Sequence, residues 1–228
     1  MSFRTLIIEH ERVTPGGLIY DWLEDHEAEV DELRIDVDER KIDARNYDLI
    51  VPLGSEFPAY DDTIAWVPRE MELLREAAAA DVAVFGICFG GQLLARALGG
   101  RSFRAEASEI GWLPVRSRDS ALVPEGPWFQ WHFDTFTVPE AATVLAESDV
   151  GPQAYVVGRS LGVQFHPEVT PGIMEDWVRV YRHELDADGV DPDALLEETY
   201  ERAEVARATS LKLLDSFLER VARPRERT

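Results

Sequence analysis

The sequence predicts an α/β fold: a mostly parallel sheet flanked by helices, with a small antiparallel extension and C-terminal helices. Three observations carry that prediction. As far as Gly100, short apolar runs alternate with stretches of helical periodicity, which is the rhythm of βα units. After Gly100 the texture changes to closely spaced short strands with little helix between them. From Pro171 onward the pattern is helical again.

Taken in order, residues 4–10, with Thr5-Leu6-Ile7-Ile8 at their centre, read as a first strand. Gly17 to His26 read as a helix with Leu18, Ile19, Trp22 and Leu23 on one face. Residues 29–37 and 48–53 are further strands, and a helix runs from Trp66 to about Ala80. Val82-Ala83-Val84-Phe85 is a buried strand, and Gln92 to Leu98 a helix that stops at Gly99-Gly100. This βαββαβα order implies a parallel sheet covered on both faces. Ligands of such sheets bind beyond the carboxyl ends of the strands, where Gly54 and Cys88 both fall. The segments Ser102–Glu106, Ile110–Arg116, Phe129–Phe136, Thr143–Glu147, Ala154–Val157 and Gly162–Phe165 predict an antiparallel extension wrapped onto the core. Asp191-Pro192-Asp193 opens a long helix to about Val221. Leu195, Tyr200, Leu211, Leu214 and Phe217 are available for its buried stripe, which packs on the same domain or serves as a dimer surface. The division expected is a domain over residues 1–170 and a helical extension over 171–228, packed on the same domain.

Composition narrows the function. The 228 residues are 45% hydrophobic, without an apolar run near membrane-spanning length, so a soluble protein is expected. Met1-Ser2-Phe3-Arg4 leads directly into the first strand, so no signal peptide is expected. A net charge of −21 argues against nucleic acid and anionic membranes as partners. One cysteine excludes an internal disulfide and suits a reducing cytoplasm. Five scattered histidines and no second cysteine predict no metal site, and no cofactor is expected.

The single cysteine lies in Gly86-Ile87-Cys88-Phe89-Gly90, between a strand and a helix. A lone cysteine is commonly a small buried hydrophobe. Two close glycines at a strand-to-helix turn, however, form the elbow that presents a nucleophile, with sulfur in place of oxygen. The helix that follows points its amides and positive end at the sulfur, which favours the reactive thiolate. Gly162-Val163-Gln164-Phe165-His166-Pro167-Glu168 supplies the partner: on a strand, His166 and Glu168 project to the same side, so the carboxylate can orient the imidazole. Read alone, both are ordinary loop residues after a core strand. His132 lies among Trp131, Phe133 and Phe136 and reads as structural, with a second catalytic base as the alternative. His10, His26 and His183 have acidic or helical neighbours and are expected at the surface. Trp112, Trp128 and Trp131 are expected in the core or crevice walls.

Together these segments resemble the signature motifs of class I, triad-type, glutamine amidotransferases, in the freestanding, GMP-synthase-like form. Phe129-Gln130-Trp131-His132-Phe133-Asp134 is similar to a third family segment, and Val51-Pro52-Leu53-Gly54-Ser55 to the family's oxyanion loop. The matches run in family order over about Arg4 to Thr170. The resemblance implies a flavodoxin-like amidotransferase fold. It also implies that Cys88 attacks the glutamine side-chain amide, His166 moves the protons and Glu168 orients His166. Gly54, Ser55 and Phe89 would form the oxyanion hole, with Gln92, Phe133 and Asp134 binding substrate. Three departures stand out: Ser55 replaces a common second glycine, Gly91 a common histidine, and Phe133 a common glycine. Only 58 residues follow Thr170, too few for a nucleotide-binding acceptor domain. Ammonia would therefore pass to a separate synthetase subunit. The alternatives are a freestanding γ-glutamyl amide or peptide hydrolase and a non-catalytic scaffold.

Overall fold

In the first strand, β1 (Arg4–Glu9), successive side chains point to opposite faces, and both faces are apolar. Ile7 joins a core with Ile19, Trp22 and Phe217, whereas Leu6 and Ile8 join another with Val67, Leu74 and Leu93. A sheet apolar on both sides needs helices on both sides. The computed structural model describes residues 3–223, so the expectation for the Met1-Ser2 terminus and the outermost ends of the two expected units lie outside the described residues.

Helix α1 (Leu18–Asp25), strands β2 (Glu29–Arg34) and β3 (Leu49–Pro52), helix α2 (Trp66–Ala79), strand β4 (Ala83–Ile87) and helix α3 (Phe89–Ala97) follow in the predicted order. β2 is shorter than predicted because the N–H groups of Val37 and Asp38 turn back to the Arg34 carbonyl. Next come β5 (Arg101–Leu113), β6 (Arg116–Ser117), β7 (Trp128–Thr137), β8 (Thr143–Glu147), β9 (Pro152–Val157) and β10 (Ser160–Val163). Helices α4 (Pro171–Val180), α5 (Arg182–Asp188) and α6 (Pro192–Arg220) complete the described chain.

The main sheet has the order β2-β1-β3-β4-β10-β9-β8-β6, with the first five strands parallel and the last three antiparallel. β5 and β7 pair separately as an antiparallel ribbon. The antiparallel addition is therefore real but divided, and two segments differ from expectation. β10 joins the parallel core beside β4, where Gly162 faces Gly86; a Cβ on Gly162 would lie 2.4 Å from the Tyr155 ring. Ser102–Glu106 and Ile110–Leu113 belong to one strand, β5, interrupted by a bulge between Arg104 and Glu109.

α6 packs along the same body at both ends. Leu195 joins the cluster beneath the ribbon, and Leu213, Leu214 and Phe217 join the core against Phe85. Tyr200, expected in the buried stripe, is 54% exposed. Thr199 takes the inward position instead and accepts a hydrogen bond from the Trp112 indole N–H. Among the described residues, no helix is long and apolar enough to cross a membrane.

Candidate active site

The order of the parallel strands decides where a site can form. The chain runs from β1 outward to β2, then returns to the other side of β1 with β3, which opens a crevice beyond the carboxyl ends. His10 follows β1, Gly54 follows β3, Cys88 follows β4, and His166 comes three residues after β10. All four ends converge on one place.

Cys88 occupies the turn between β4 and α3 for a steric reason. Its backbone has φ 50 and ψ −108, a conformation that costs a non-glycine residue of order 1–3 kcal/mol and persists only where the surroundings enforce it. The glycines allow the close packing that enforces it. A Cβ on Gly90 would lie 2.1 Å from the Pro52 carbonyl oxygen, and one on Gly86 2.7 Å from that of Gly90. The Cys88 N–H donates to the Val163 carbonyl at 2.8 Å and the Gly90 N–H to that of Leu53 at 3.1 Å. Phe89 begins α3, so its N–H has no acceptor within the helix and faces the turn.

His166 and Glu168 lie beyond the strand, because β10 ends at Val163. Their pairing therefore comes from a turn, not from strand alternation as the sequence pattern predicted. The His166 N–H donates to the Phe129 carbonyl on β7, and the Glu168 carbonyl accepts from the Leu18 N–H at the start of α1. Gly17 makes that approach possible: a Cβ there would lie 2.1 Å from the Glu168 carbonyl oxygen. Both side chains are buried, with His166 Nδ1 2.7 Å from Glu168 Oε1. His166 Nε2 has no hydrogen-bond partner among the described residues. Burial opposes the imidazolium, but the charges of Glu168 and then Cys88 outweigh it and raise the His166 pKa to about 10.

The sulfur has a neighbour that sequence reasoning did not single out. Gln164 Nε2 donates to Cys88 Sγ at 3.4 Å, while Gln164 Oε1 accepts from Gln92 Nε2 at 3.1 Å. Gln92 also contacts the Asp134 carbonyl at 3.3 Å and the Ser102 hydroxyl at 3.2 Å. Gln92 thus lines the crevice with its amide already engaged by the protein. Only its position in the Cys88 helix, one turn on, hinted at this.

The Gly54-Ser55 loop is held from its far side. Glu11 Oε1 accepts from the Ser55 hydroxyl at 2.7 Å and from the Glu56 N–H at 3.0 Å, and the Ser55 hydroxyl accepts from the Phe57 N–H at 3.2 Å. Among the described residues, the only non-glycine positions with positive φ are Glu27, Asp81 and Cys88, so Ser55 adopts ordinary backbone geometry here. The serine at this departure ties the loop down. Gly54 itself is closely hemmed in: a Cβ would lie 3.2 Å from His166 Cε1 and 3.8 Å from Cys88 Cβ.

These groups open on a cavity of about 200 Å³, whose walls include Phe89, Gln92, Phe133, Asp134, Trp177 and Tyr181. At one end Asp134 Oδ1 lies 3.7 Å from the Arg104 guanidinium and 3.4 Å from the Tyr60 hydroxyl, and Arg104 covers the Phe133 ring at 4.7 Å. Burial holds the Asp134 pKa above its usual value despite Arg104. Arg104, on the bulge of β5, had no motif to announce it. Trp177, Tyr181 and Glu184, from the C-terminal helices, also line the cavity.

Two histidine expectations resolve differently. His132 Nδ1 contacts the Asp134 carbonyl at 3.0 Å, and Nε2 lies 3.1 Å from the Glu109 carboxylate without making a hydrogen bond to it, so the ring is held within the ribbon. His10, expected at the surface, is buried. Its Nδ1 donates to the Gly54 carbonyl at 3.0 Å and its Nε2 meets Glu70 Oε2 at 2.9 Å. The acidic neighbour Glu11, which made it look exposed, turns instead to the Ser55 loop. His183 is exposed and His26 half-buried. Trp128 stacks on Phe165 at 4.4 Å, Trp131 lines the cavity, and Trp112 packs edge-on against Phe129.

A cysteine on a glycine-lined elbow, beside a buried His–Glu pair and above a parallel sheet, defines a class: α/β proteins that hold a thiol and an imidazole in one crevice. Comparison with known proteins narrows it. The family model for glutamine amidotransferase class-I matches residues 17–179. A crystal structure of a glutamine amidotransferase from Thermotoga maritima superposes with a TM-score of 0.87 at 31% identity, covering 96% of this chain and 99% of that one. A glutamine amidotransferase-like protein of Salmonella typhimurium is 29% identical over 82% of this chain and 84% of its own length. GMP synthase [glutamine-hydrolyzing] of Thermus thermophilus is 38% identical over 53% of this chain, which spans only 27% of that enzyme. The chain belongs to the class I glutamine amidotransferase family.

Proposed function

We propose that the protein hydrolyses the side-chain amide of glutamine through a Cys88–His166–Glu168 triad and releases ammonia for a synthetase on a separate chain. The observation that carries this reading is His166. Its Nδ1 is fixed by Glu168 at 2.7 Å, while Nε2 is buried, without a partner, beside the thiol. A buried polar atom left unpaired is costly, of order 1–3 kcal/mol, and a proton exchanged with substrate gives it a purpose.

The chemistry follows from these positions. The Cys88 thiol gives its proton to His166 Nε2, and the sulfur attacks the amide carbon of glutamine. The carbonyl oxygen becomes an oxyanion, held by the Phe89 N–H and the N–H of the Gly54–Ser55 peptide; one such donor is worth about 3–4 kcal/mol of barrier. Collapse breaks the C–N bond, His166 returns its proton to the leaving nitrogen, and ammonia departs. Water, deprotonated by His166, then cleaves the γ-glutamyl thioester to glutamate and regenerates the thiol. Arg104 pairs with the α-carboxylate of the substrate. Asp134 receives its α-ammonium, and Phe133 supports Arg104 from below. Gln92 acts by holding Gln164 against the sulfur and the Asp134 carbonyl in place.

A second reading, hydrolysis of a γ-glutamyl amide with a larger leaving amine, draws support from Trp177, Tyr181 and Glu184. They line the same cavity as Cys88 and His166, where an amine larger than ammonia could contact them. Glutamate and ammonia release by the purified protein, from glutamine and from γ-glutamyl amides, tests both, with Cys88→Ala as the blank. Cys88-dependent release from glutamine is the expected result, and cleavage confined to a γ-glutamyl amide selects the second reading. Release that survives in Cys88→Ala overturns both.

A further inference from the structure

Behind the Gly54 loop lies a buried His–Glu pair that the hydrolysis above does not use. His10 and Glu70 have side chains 0% exposed, and they come from different elements, the end of β1 and the second turn of α2. His10 Nδ1 faces the Gly54 carbonyl oxygen, which can only accept, so Nδ1 carries a proton and donates. Its ring stands 4.7 Å from that of Phe89 and 5.0 Å from that of Trp66. His10 therefore touches both Gly54 and Phe89, the residues given the oxyanion role above.

In a trans peptide the carbonyl and the N–H point to opposite sides, so fixing one fixes the other. The Gly54 carbonyl and the Ser55 N–H belong to the same peptide. A glycine peptide on a loop otherwise has little to keep it from rotating. We propose that His10, steadied by Glu70, is a positioning residue that clamps the Gly54–Ser55 peptide with its N–H turned toward the developing oxyanion. This rests on the oxyanion role given to that peptide above. A donor on the carbonyl also polarises the peptide, which strengthens its N–H as a donor to the substrate oxygen. Burial opposes charge on His10, but Glu70 outweighs it and raises the pKa above the usual histidine value. Glu70 Oε1 has no partner among the described residues, so the arrangement is held at some expense to stability.

The test separates orientation from packing. His10→Phe keeps a ring of similar size and removes the donor. The double variant His10→Phe/Glu70→Met also removes the carboxylate that would be left buried alone. His10→Asn places an amide nitrogen near the position of Nδ1. The expected result is a fall of about 10²-fold in kcat for both Phe variants, with KM within about threefold of wild type, and recovery to within about tenfold in His10→Asn. Alkylation of Cys88 by iodoacetamide, which forms no oxyanion, stays within about twofold throughout. Unchanged kcat in both Phe variants overturns the proposal, as does an equal loss of kcat and alkylation rate, which would mean the crevice had merely collapsed. A crystal structure of the double variant judges it without any turnover. A Gly54 carbonyl found rotated supports the clamp, and one still turned toward position 10 overturns it. If wild-type protein shows no Cys88-dependent hydrolysis, the triad reading fails while this structural criterion still decides the clamp.

Discussion

Two histidine–glutamate pairs flank Gly54, both buried, and they differ in one ring nitrogen. In His166–Glu168 the pair is two residues apart on one turn, and Nε2 is left without a partner. In His10–Glu70 the partners come from separate elements, and both ring nitrogens are engaged. The same residue types thus serve different ends. An imidazole whose second nitrogen faces a thiol can move protons, whereas one whose nitrogens meet a backbone carbonyl and a carboxylate has no reacting group to exchange them with. In both pairs burial opposes the imidazolium and the carboxylate partner outweighs it, so the pKa is raised in each and its direction alone does not tell them apart.

The comparison breaks most directly at His166. His166→Ala should lower kcat for glutamine hydrolysis by about 10⁴-fold, with thermal unfolding showing an intact fold. Glu168→Gln keeps the shape but weakens the orientation of His166, and a loss of about 10²-fold is expected from the same assay. A loss at His10 as large as that at His166 would erase the distinction between the pairs. Gly54→Ala probes the space between them. Its Cβ would press on His166 Cε1 at 3.2 Å, and a fall of about tenfold in kcat is expected with a stability change near 1 kcal/mol or less, read from urea unfolding.

The smallest effect is a matter of pH. With its folded pKa raised to about 10, His166 binds its proton more tightly in the native state than in the unfolded chain, where about 6.5 is usual. It therefore contributes stability that is fully present below about pH 6.5 and is lost as pH rises through about 10. Cys88 is one of the charges that raise this pKa. In Cys88→Ala the decline in urea midpoint should thus end at lower pH than in wild type and be smaller in total. Identical pH profiles would show that the thiol and His166 do not interact.

Much of this was legible in the residues. The βαββαβα order matched element for element, because period-two and helical apolar patterns are local and both faces of β1 demanded cover. The elbow at Cys88 was legible too, since glycines on either side of a nucleophile have a steric meaning that needs no neighbours. His10 was misjudged because its sequence neighbours Glu9 and Glu11 are acidic, while its true partner, Glu70, is 60 positions away. Arg104 was passed over for the same reason: it meets Asp134 only as its cross-strand partner, once β5 pairs with β7.

The sequence by itself determined the class of sheet, the turn that presents the cysteine and the motifs that bring His166 and Glu168 to it. Each is encoded in short-range sterics or in residues close together along the chain. Tertiary structure alone decided which histidine is free and which is bound, where β10 joins the sheet, and which arginine faces the cavity. Those outcomes depend on strand order, and strand order is settled by burying apolar surface across the whole domain.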